Sequence, residues 1–261
     1  MYKIAILYIA LGKYDLFWED FHSSCECHFL NGMPKEYYVF TDSAGIAAQK
    51  HVHLIPVENH CWPRNTLDRF FFFDKITGAL SESDFCFFFN ANTLFLKNIL
   101  PDEVLPYSEQ DYLVNLSWHI YDDKKLSDLP YDRNPLSTAC IPDGEGSKYY
   151  QGGLFGARTK EFLELKEVMA RNIAEDYRDN IIAIQNDESH LNRYLVDKKP
   201  LCLSTYYGRP QEWDFPKNPA IIFRKKEDLL GLMYIFKLKD KPFVYLVRQI
   251  KSKIKQLFCF K

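Results

Sequence analysis

Segments of strand character alternate with segments of helical character through the first 200 residues, and this alternation restricts the chain to a mostly parallel sheet covered by helices. Residues 2–9, 37–41, 52–57, 85–89 and 152–157 read as strands. The run Phe85-Cys86-Phe87-Phe88-Phe89 is apolar at every position, as a strand buried on both faces should be. Helices are expected over 15–30, stopped by Asn31-Gly32 and Pro34, and over 65–80, 159–174 and 187–195. In the second of these the aromatic run Phe70 to Phe73 implies burial on more than one side. Residues 121–148 are rich in Asp, Pro, Ser and Gly. An excursion of that length in a compact domain is usually functional, here a candidate wall or lid over a site. The class is α/β, with a single mostly parallel sheet flanked by helices.

With 47% hydrophobic and 16% aromatic residues, 261 positions suffice for a substantial core, which excludes a disordered or low-complexity chain. A net charge of −2 gives no global attraction to nucleic acid, and no nucleic-acid partner is expected. Seven scattered cysteines without a CxxC pair argue for reduced thiols. No apolar run approaches the roughly 20 residues of a membrane span. The N-terminus reads as a first strand rather than a signal peptide, so a cytoplasmic protein is expected.

The charge is unevenly distributed. From Arg224 to Lys261 there are 11 basic and three acidic residues, a local charge of +8 against −10 for the preceding chain. Residues 1–240 are expected to form the main domain, and 241–261 a basic amphipathic tail. There Phe243, Leu246, Val247, Ile250, Ile254, Leu257 and Phe258 recur at helical spacing. Two readings stay open for this tail: a helix docked on its own core with a solvated basic rim, or attachment to an anionic membrane surface, peripherally on the inner face.

Three strings could carry chemistry. Asn90-Ala91-Asn92 follows the apolar strand at the sheet edge where open α/β folds bind ligands, although Asn also suits the turn that ends a strand. Asp187-Glu188 opens a helix, where the dipole and capping favour acids in any case. The two carboxylates could also divide labour, one binding a sugar hydroxyl and one facing an anomeric carbon. Tyr149-Tyr150-Gln151-Gly152-Gly153 sets two aromatics beside residues without side chains, which suits close ligand approach or a β-bulge. His22, Cys25, Cys27 and His28 share one predicted helix with Cys25 and Cys27 on different faces, which argues against zinc. His51 and His53 read as exposed strand positions. No P-loop, dinucleotide, zincin or serine-hydrolase motif occurs.

Taken in order, four blocks resemble glycosyltransferase family 6, the family of the histo-blood-group A and B transferases. They are Tyr37-Tyr38-Val39-Phe40-Thr41-Asp42, Ile141-Pro142-Asp143-Gly144-Glu145-Gly146, Tyr149-Tyr150-Gln151-Gly152-Gly153-Leu154-Phe155-Gly156 and Asp187-Glu188-Ser189-His190-Leu191-Asn192. The resemblance implies a GT-A fold, a UDP-sugar donor and retaining transfer to O3 of a galactose. Animal members carry Asp-x-Asp, which holds Mn²⁺, where this chain has Asn90-Ala91-Asn92. It is similar to bacterial members with Asn-x-Asn that work without a metal, so no divalent cofactor is expected.

Carried over residue by residue, Leu11 and Tyr14 resemble positions lining the uracil and ribose pocket. Gln151, Gly152 and Gly153 match the tripeptide that discriminates the donor's C2 substituent. Gly153 is expected to leave room for an acetamido group, which favours GalNAc over galactose. Asp187 matches a ligand of donor hydroxyls, and Glu188 the carboxylate beside the anomeric carbon, as nucleophile or oxocarbenium stabiliser. His119 resembles an acceptor-galactose ligand, and Gln185-Asn186 stand where animal members have Trp-His, an acceptor-side difference. The departing UDP still needs cationic stabilisation. Lys225, Lys226, Lys237 or Lys239 is expected to fold over the diphosphate, with Arg69 contacting the sugar or the asparagines. The resulting expectation is a bacterial α-1,3-N-acetylgalactosaminyltransferase acting on a galactose-terminated, α-1,2-fucosylated glycan. The alternatives are a galactosyltransferase, a catalytically silent glycan-binding module of the same fold, and a glycosidase. A glycosidase would need two opposed carboxylates on different segments.

Overall fold

The computed structural model describes residues 1–232 and Tyr234. Its strands, in chain order, are β1 (Ile4–Ala10), β2 (Lys35–Thr41), β3 (Val52–Pro56), β4 (Phe85–Phe89) and β5 (Thr93–Phe95). They continue as β6 (Leu113–Ser117), β7 (Tyr150–Arg158), β8 (Leu201–Leu203), β9 (Tyr207–Pro210) and β10 (Ile221–Phe223). The α-helices are α1 (Trp18–His28), α2 (Arg64–Leu67), α3 (Arg69–Asp74), α4 (Thr77–Leu80), α5 (Pro101–Val104), α6 (Thr159–Arg178), α7 (Asp187–Leu195) and α8 (Lys226–Leu230).

Every residue of β4 is buried, as its continuous apolar run requires. It lies at the centre of a seven-stranded sheet of order β3-β2-β1-β4-β7-β6-β8. The two faces separate with a period of two. Ile4, Ile6, Tyr8, Phe87 and Phe89 pack with Trp18, Phe21 and Cys25 of α1, whereas Ala5, Leu7, Cys86 and Phe88 pack against α3, α6 and α7. The β3-β2-β1-β4 block is parallel, and β6 pairs parallel with β8. β7 runs antiparallel to both β4 and β6.

That one reversal positions the site. Because β7 is antiparallel, its beginning lies at the carboxyl end of β4: Phe89 pairs with Leu154, and the Asn90 N–H donates to the Gly153 carbonyl at 2.8 Å. The reversal also needs a residue without a side chain. A Cβ on Gly156 would lie 2.6 Å from Cδ1 of Phe87 and 2.8 Å from the Cys86 carbonyl oxygen. Gly156→Ala is therefore expected to cost about 1–3 kcal/mol by strand displacement in a filled core, read from the urea midpoint.

Several expectations are revised. The helix over 65–80 is three short pieces, α2, α3 and α4, because a run with Phe70, Phe72 and Phe73 all buried has no single apolar stripe to lay on the sheet. The helix over 15–30 begins as a 3-10 turn, Gly12–Phe17, before α1. A second sheet, β5-β10-β9, lies outside the sequence reading. The 121–148 excursion is pinned to the helical layer, and none of its residues lines the two cavities described below. Asp132 Oδ2 accepts the Ile184 N–H at 2.7 Å, and Asp176 accepts the Ser137 hydroxyl at 2.6 Å and the Thr138 N–H at 2.7 Å. His51 and His53 are half exposed and hold Glu36 at 3.0 and 2.7 Å. Cys25, Cys27, Cys61, Cys86, Cys140 and Cys202 are free thiols. Among the described residues no His/Cys/Asp/Glu cluster could hold a metal ion, and no helix is long and apolar enough to cross a membrane. The 241–261 tail, with both of its readings, lies outside the described residues, as do Lys237 and Lys239.

Candidate active site

Two adjoining cavities open at the carboxyl ends of β1 and β4, where the turn after each strand leaves backbone and short polar side chains facing outward. The first, of about 300 Å³, is lined by Leu11 and Tyr14 after β1 and by Asn59 and Trp62. The second, of about 390 Å³, is lined by Asn92, Gln151, Gly152, Gly153, Asp187 and Glu188. Thr66, Arg69, Asn90, Lys226 and Glu227 line both, so the two cavities form one continuous cleft.

Buried Arg69 organises the corner. Its Nη2 lies 3.2 Å from Asp187 Oδ2, its Nη1 donates to the Gly152 carbonyl at 2.9 Å and its Nε to the Thr66 carbonyl at 3.0 Å. Phe88 of β4 lies beneath, with the guanidinium carbon 4.4 Å from the ring centroid. The fork thus holds Asp187 and the start of β7, and the expected contact with the asparagines is replaced by this pairing. Local geometry contributes at both ends: Thr66 lies three residues before Arg69, and Asn186, at φ 54°, immediately precedes the start of α7 and its two acids. Asn192 ties α7 to β7, its Oδ1 accepting the Tyr150 N–H at 2.9 Å and its Nδ2 donating to the Tyr150 carbonyl at 2.7 Å.

Glu188 is held between two donors. The Tyr149 hydroxyl donates to Oε1 at 2.8 Å and the Gly152 N–H to Oε2 at 2.7 Å. Burial pushes its carboxyl up to about 7, with neighbouring Asp187 adding to the rise, while the two hydrogen bonds and Arg69 pull the other way. Burial also raises Asp187, against the guanidinium of Arg69. The Tyr149 hydroxyl is raised by burial and by the Glu188 carboxylate, so it remains a proton donor. Tyr149 and the Gly152 amide are the partners that reading the sequence left out. Their signal was the adjacency of Tyr149 to the glycine pair, which fixes no distance to a residue nearly 40 positions away.

Lys226, like Arg69, lines both cavities, with its Nζ 5.4 Å from the centroid of the Tyr14 ring. Burial and the nearby Arg69 guanidinium both lower its ammonium, and Glu227 opposes them. Lys225 lines the second cavity but is exposed, 3.7 Å from Asp228. Tyr234 accepts the Lys13 N–H at 2.7 Å and packs with Leu230 and Phe17, which brings the chain after α8 back onto the turn following β1.

The asparagines are a poor match to a hard divalent cation. Nδ2 of Asn92 donates to the Arg224 carbonyl at 2.6 Å, and its Oδ1 is buried without a hydrogen-bond partner, a neutral oxygen where such a cation prefers carboxylates. Asp187 and Glu188, two of the carboxylates that line the second cavity, already face Arg69 and the Tyr149 and Gly152 donors. The space at Gly153 is bounded rather than open: an added Cβ would lie 2.6 Å from Oε1 of Gln151, 2.9 Å from Cζ of Phe223 and 3.0 Å from Nδ2 of Asn90. Gln185 lines the second cavity. His119 stands just outside it, one residue past the lining Trp118, with Nδ1 2.8 Å from the Thr205 hydroxyl.

The chain carrying this cleft has relatives among known proteins. The model of glycosyltransferase family 6 matches residues 2–218. The chain belongs to glycosyltransferase family 6. It is 37% identical over 229 residues to the O-antigen biosynthesis glycosyltransferase WbnI of Escherichia coli, covering 86% of this chain and 95% of that protein. Globoside alpha-1,3-N-acetylgalactosaminyltransferase 1 of Gallus gallus is 29% identical over 84% of this chain and 64% of its own length. Histo-blood group ABO system transferase 1 of Rattus norvegicus is 30% identical over 76% and 58% respectively. The chain thus spans about three fifths of these vertebrate relatives. As a family 6 member it is a glycosyltransferase, taking a nucleotide-sugar donor and a glycan acceptor, and the mixed seven-stranded sheet is consistent with the GT-A-like fold.

Proposed function

We propose that this protein is a retaining, metal-independent α-1,3-N-acetylgalactosaminyltransferase that moves GalNAc from UDP-GalNAc to O3 of a galactose-terminated, α-1,2-fucosylated acceptor. The observation that carries the reading is the shared corner of the cleft. A nucleotide against Leu11 and Tyr14 in the first cavity sets its diphosphate beside Arg69, Asn90 and Lys226, and its sugar in the second cavity beside Glu188. Negative charge that develops on the departing diphosphate meets the ammonium of Lys226, and positive charge at the anomeric carbon meets the carboxylate of Glu188. Asp187, oriented by Arg69, binds donor hydroxyls; Asn90 and Asn92 offer carboxamides to the phosphates or the sugar; Gln185 and His119 flank the acceptor. Lys225 supplies a second, more exposed positive charge.

Two measurements test this. Transfer from UDP-GalNAc to an α-1,2-fucosylated galactoside is expected to exceed that to the unfucosylated one and to persist in excess EDTA; loss under chelation and recovery with Mn²⁺ overturns metal independence. Lys226→Ala is expected to lower kcat by about 10²–10³-fold, as loss of a preorganised charge stabiliser does, with Lys226→Arg retaining part of the rate. A galactose donor is the competing reading. It is favoured by the close approach of Gln151, Phe223 and Asn90 over Gly153, which limits the space for an acetamido group. Competition between the two UDP-sugars at equal concentration decides between them.

A further inference from the structure

The loop of residues 57–63, between β3 and α2, walls the first cavity through Asn59 and Trp62. Side chains tie it down. Asn65 Oδ1 accepts the His60 N–H at 2.8 Å, Asn65 Nδ2 donates to Asn59 Oδ1 at 2.8 Å, and Asn59 Nδ2 donates to Asp42 at 3.0 Å. Cys61, between His60 and Trp62, stands at φ 63°, a conformation that is unfavourable for an L-residue and persists only where the surroundings impose it.

The His60 side chain supplies a further tie. Its Nδ1 lies 2.7 Å from Oδ2 of Asp68, the buried residue immediately before Arg69, and its Nε2 lies 3.2 Å from Oε2 of Glu58. Arg64 Nε stands 3.5 Å from the same oxygen of Asp68, and the Tyr177 hydroxyl of α6 donates to Asp68 Oδ1 at 2.7 Å. Asp68, Glu58 and Arg64, with Tyr177 on Asp68, are the titratable and charged groups that face the ring. The hydrogen bond to Asp68 raises the imidazole above its ordinary 6.5, burial opposes the rise, Glu58 adds to it and Arg64 subtracts. A protonated ring donates from both nitrogens, whereas a neutral one donates from one. Loss of the proton therefore removes one of the two donors and the charge that strengthens the other.

We propose that His60 and Asp68 are positioning residues for the nucleotide: protonated His60 clasps the 57–63 loop to the start of α3 and tightens the first cavity, and release of that proton loosens it. This rests on the nucleotide reading of the first cavity above and adds to it a pH-dependent control of donor affinity. Affinity falls as pH rises through the His60 midpoint, because the clasped loop favours the charged ring.

The test titrates UDP calorimetrically into wild type, His60→Asn and His60→Ala between pH 6 and 8.5. Asparagine puts a neutral, non-titrating donor where Nδ1 stands. The ionisation of UDP itself, and that of Glu188 and Lys226, is common to both proteins, so their comparison isolates His60. Wild type is expected to bind UDP about fivefold more tightly than His60→Asn at pH 6 and to converge on it at pH 8.5, as a charge-assisted hydrogen bond gives way to a neutral one. His60→Ala is expected to bind more weakly than both at pH 6. Asp68→Asn is expected to lower the imidazole midpoint of His60, followed by NMR of the ring protons. A wild-type-to-asparagine affinity ratio that stays constant with pH, or a His60 midpoint unmoved in Asp68→Asn, overturns the clasp. If the wild type binds no UDP at any pH, the nucleotide reading fails on its own. Amide hydrogen exchange of residues 59–63 then decides the clasp: faster exchange in His60→Ala than in wild type at pH 6 supports it, and equal exchange refutes it.

Discussion

Glu188→Gln is expected to lower transfer by about 10³-fold while making the protein harder to unfold above neutral pH. Both effects come from one carboxylate that burial has pushed up to about 7 from an ordinary 4.5. Between those two values the folded protein keeps a proton that the unfolded chain has released, so stability falls as pH rises through the window. The cost is fully present above pH 7 and is relieved as pH falls, amounting to something on the order of 3 kcal/mol. The carboxamide removes the charge yet retains both contacts, its oxygen accepting the Gly152 N–H and its amide donating to the Tyr149 oxygen. The variant should therefore gain stability at pH 8 and gain little at pH 5, measured by urea unfolding at each pH. In the wild type the same group sets the acid limb of kcat/KM, which should rise to a plateau with a midpoint near pH 7. A flat profile between pH 5.5 and 8 would remove Glu188 from the chemistry.

Arg69→Met carries the other large effect. Methionine approximately fills the volume but leaves Asp187 buried without its counter-charge and the Gly152 carbonyl without its donor. Breaking a buried pair by removing one partner costs about 3–5 kcal/mol, and here activity falls with it because the corner joining the two cavities is lost. Burial already raises Asp187, so the variant relieves itself by protonating that carboxyl, and the loss should be smaller at pH 5 than at pH 8. The double variant Arg69→Met/Asp187→Asn should recover most of the stability and none of the activity. If the single variant unfolds at the wild-type midpoint, the ion pair is not what holds the cleft.

Much of the site was readable from residue types. Asn90 and Asn92 follow β4, which is apolar and buried at every position, and a strand buried on both faces must stop where polar residues begin. Asp187 and Glu188 announce a helix start. Arg69 was identified as a site residue, but its partner was not: it pairs with Asp187, 118 positions later, and not with the nearer asparagines. Among the lysines of the C-terminal third, residue type alone could not separate Lys226 from Lys225, since both are cations beside each other, and only their burial differs. The helix over 65–80 broke into three because its aromatic content erased the stripe on which helical phase is read. The strands β5, β9 and β10 have three or four residues each, too few for any period to show.

The sequence by itself determined the class of the fold, the strand that ends at the cleft, the acid pair and the absence of carboxylates at positions 90 and 92, because each is a property of a short stretch of chain. Tertiary structure alone decided the reversal of β7 that brings Gly152 and Gly153 to the end of β4, the seating of Glu188 between Tyr149 and the Gly152 amide, and the placing of Lys226 where the two cavities meet. Those depend on strand direction and on contacts between residues far apart in the chain, and neither is encoded in local spacing.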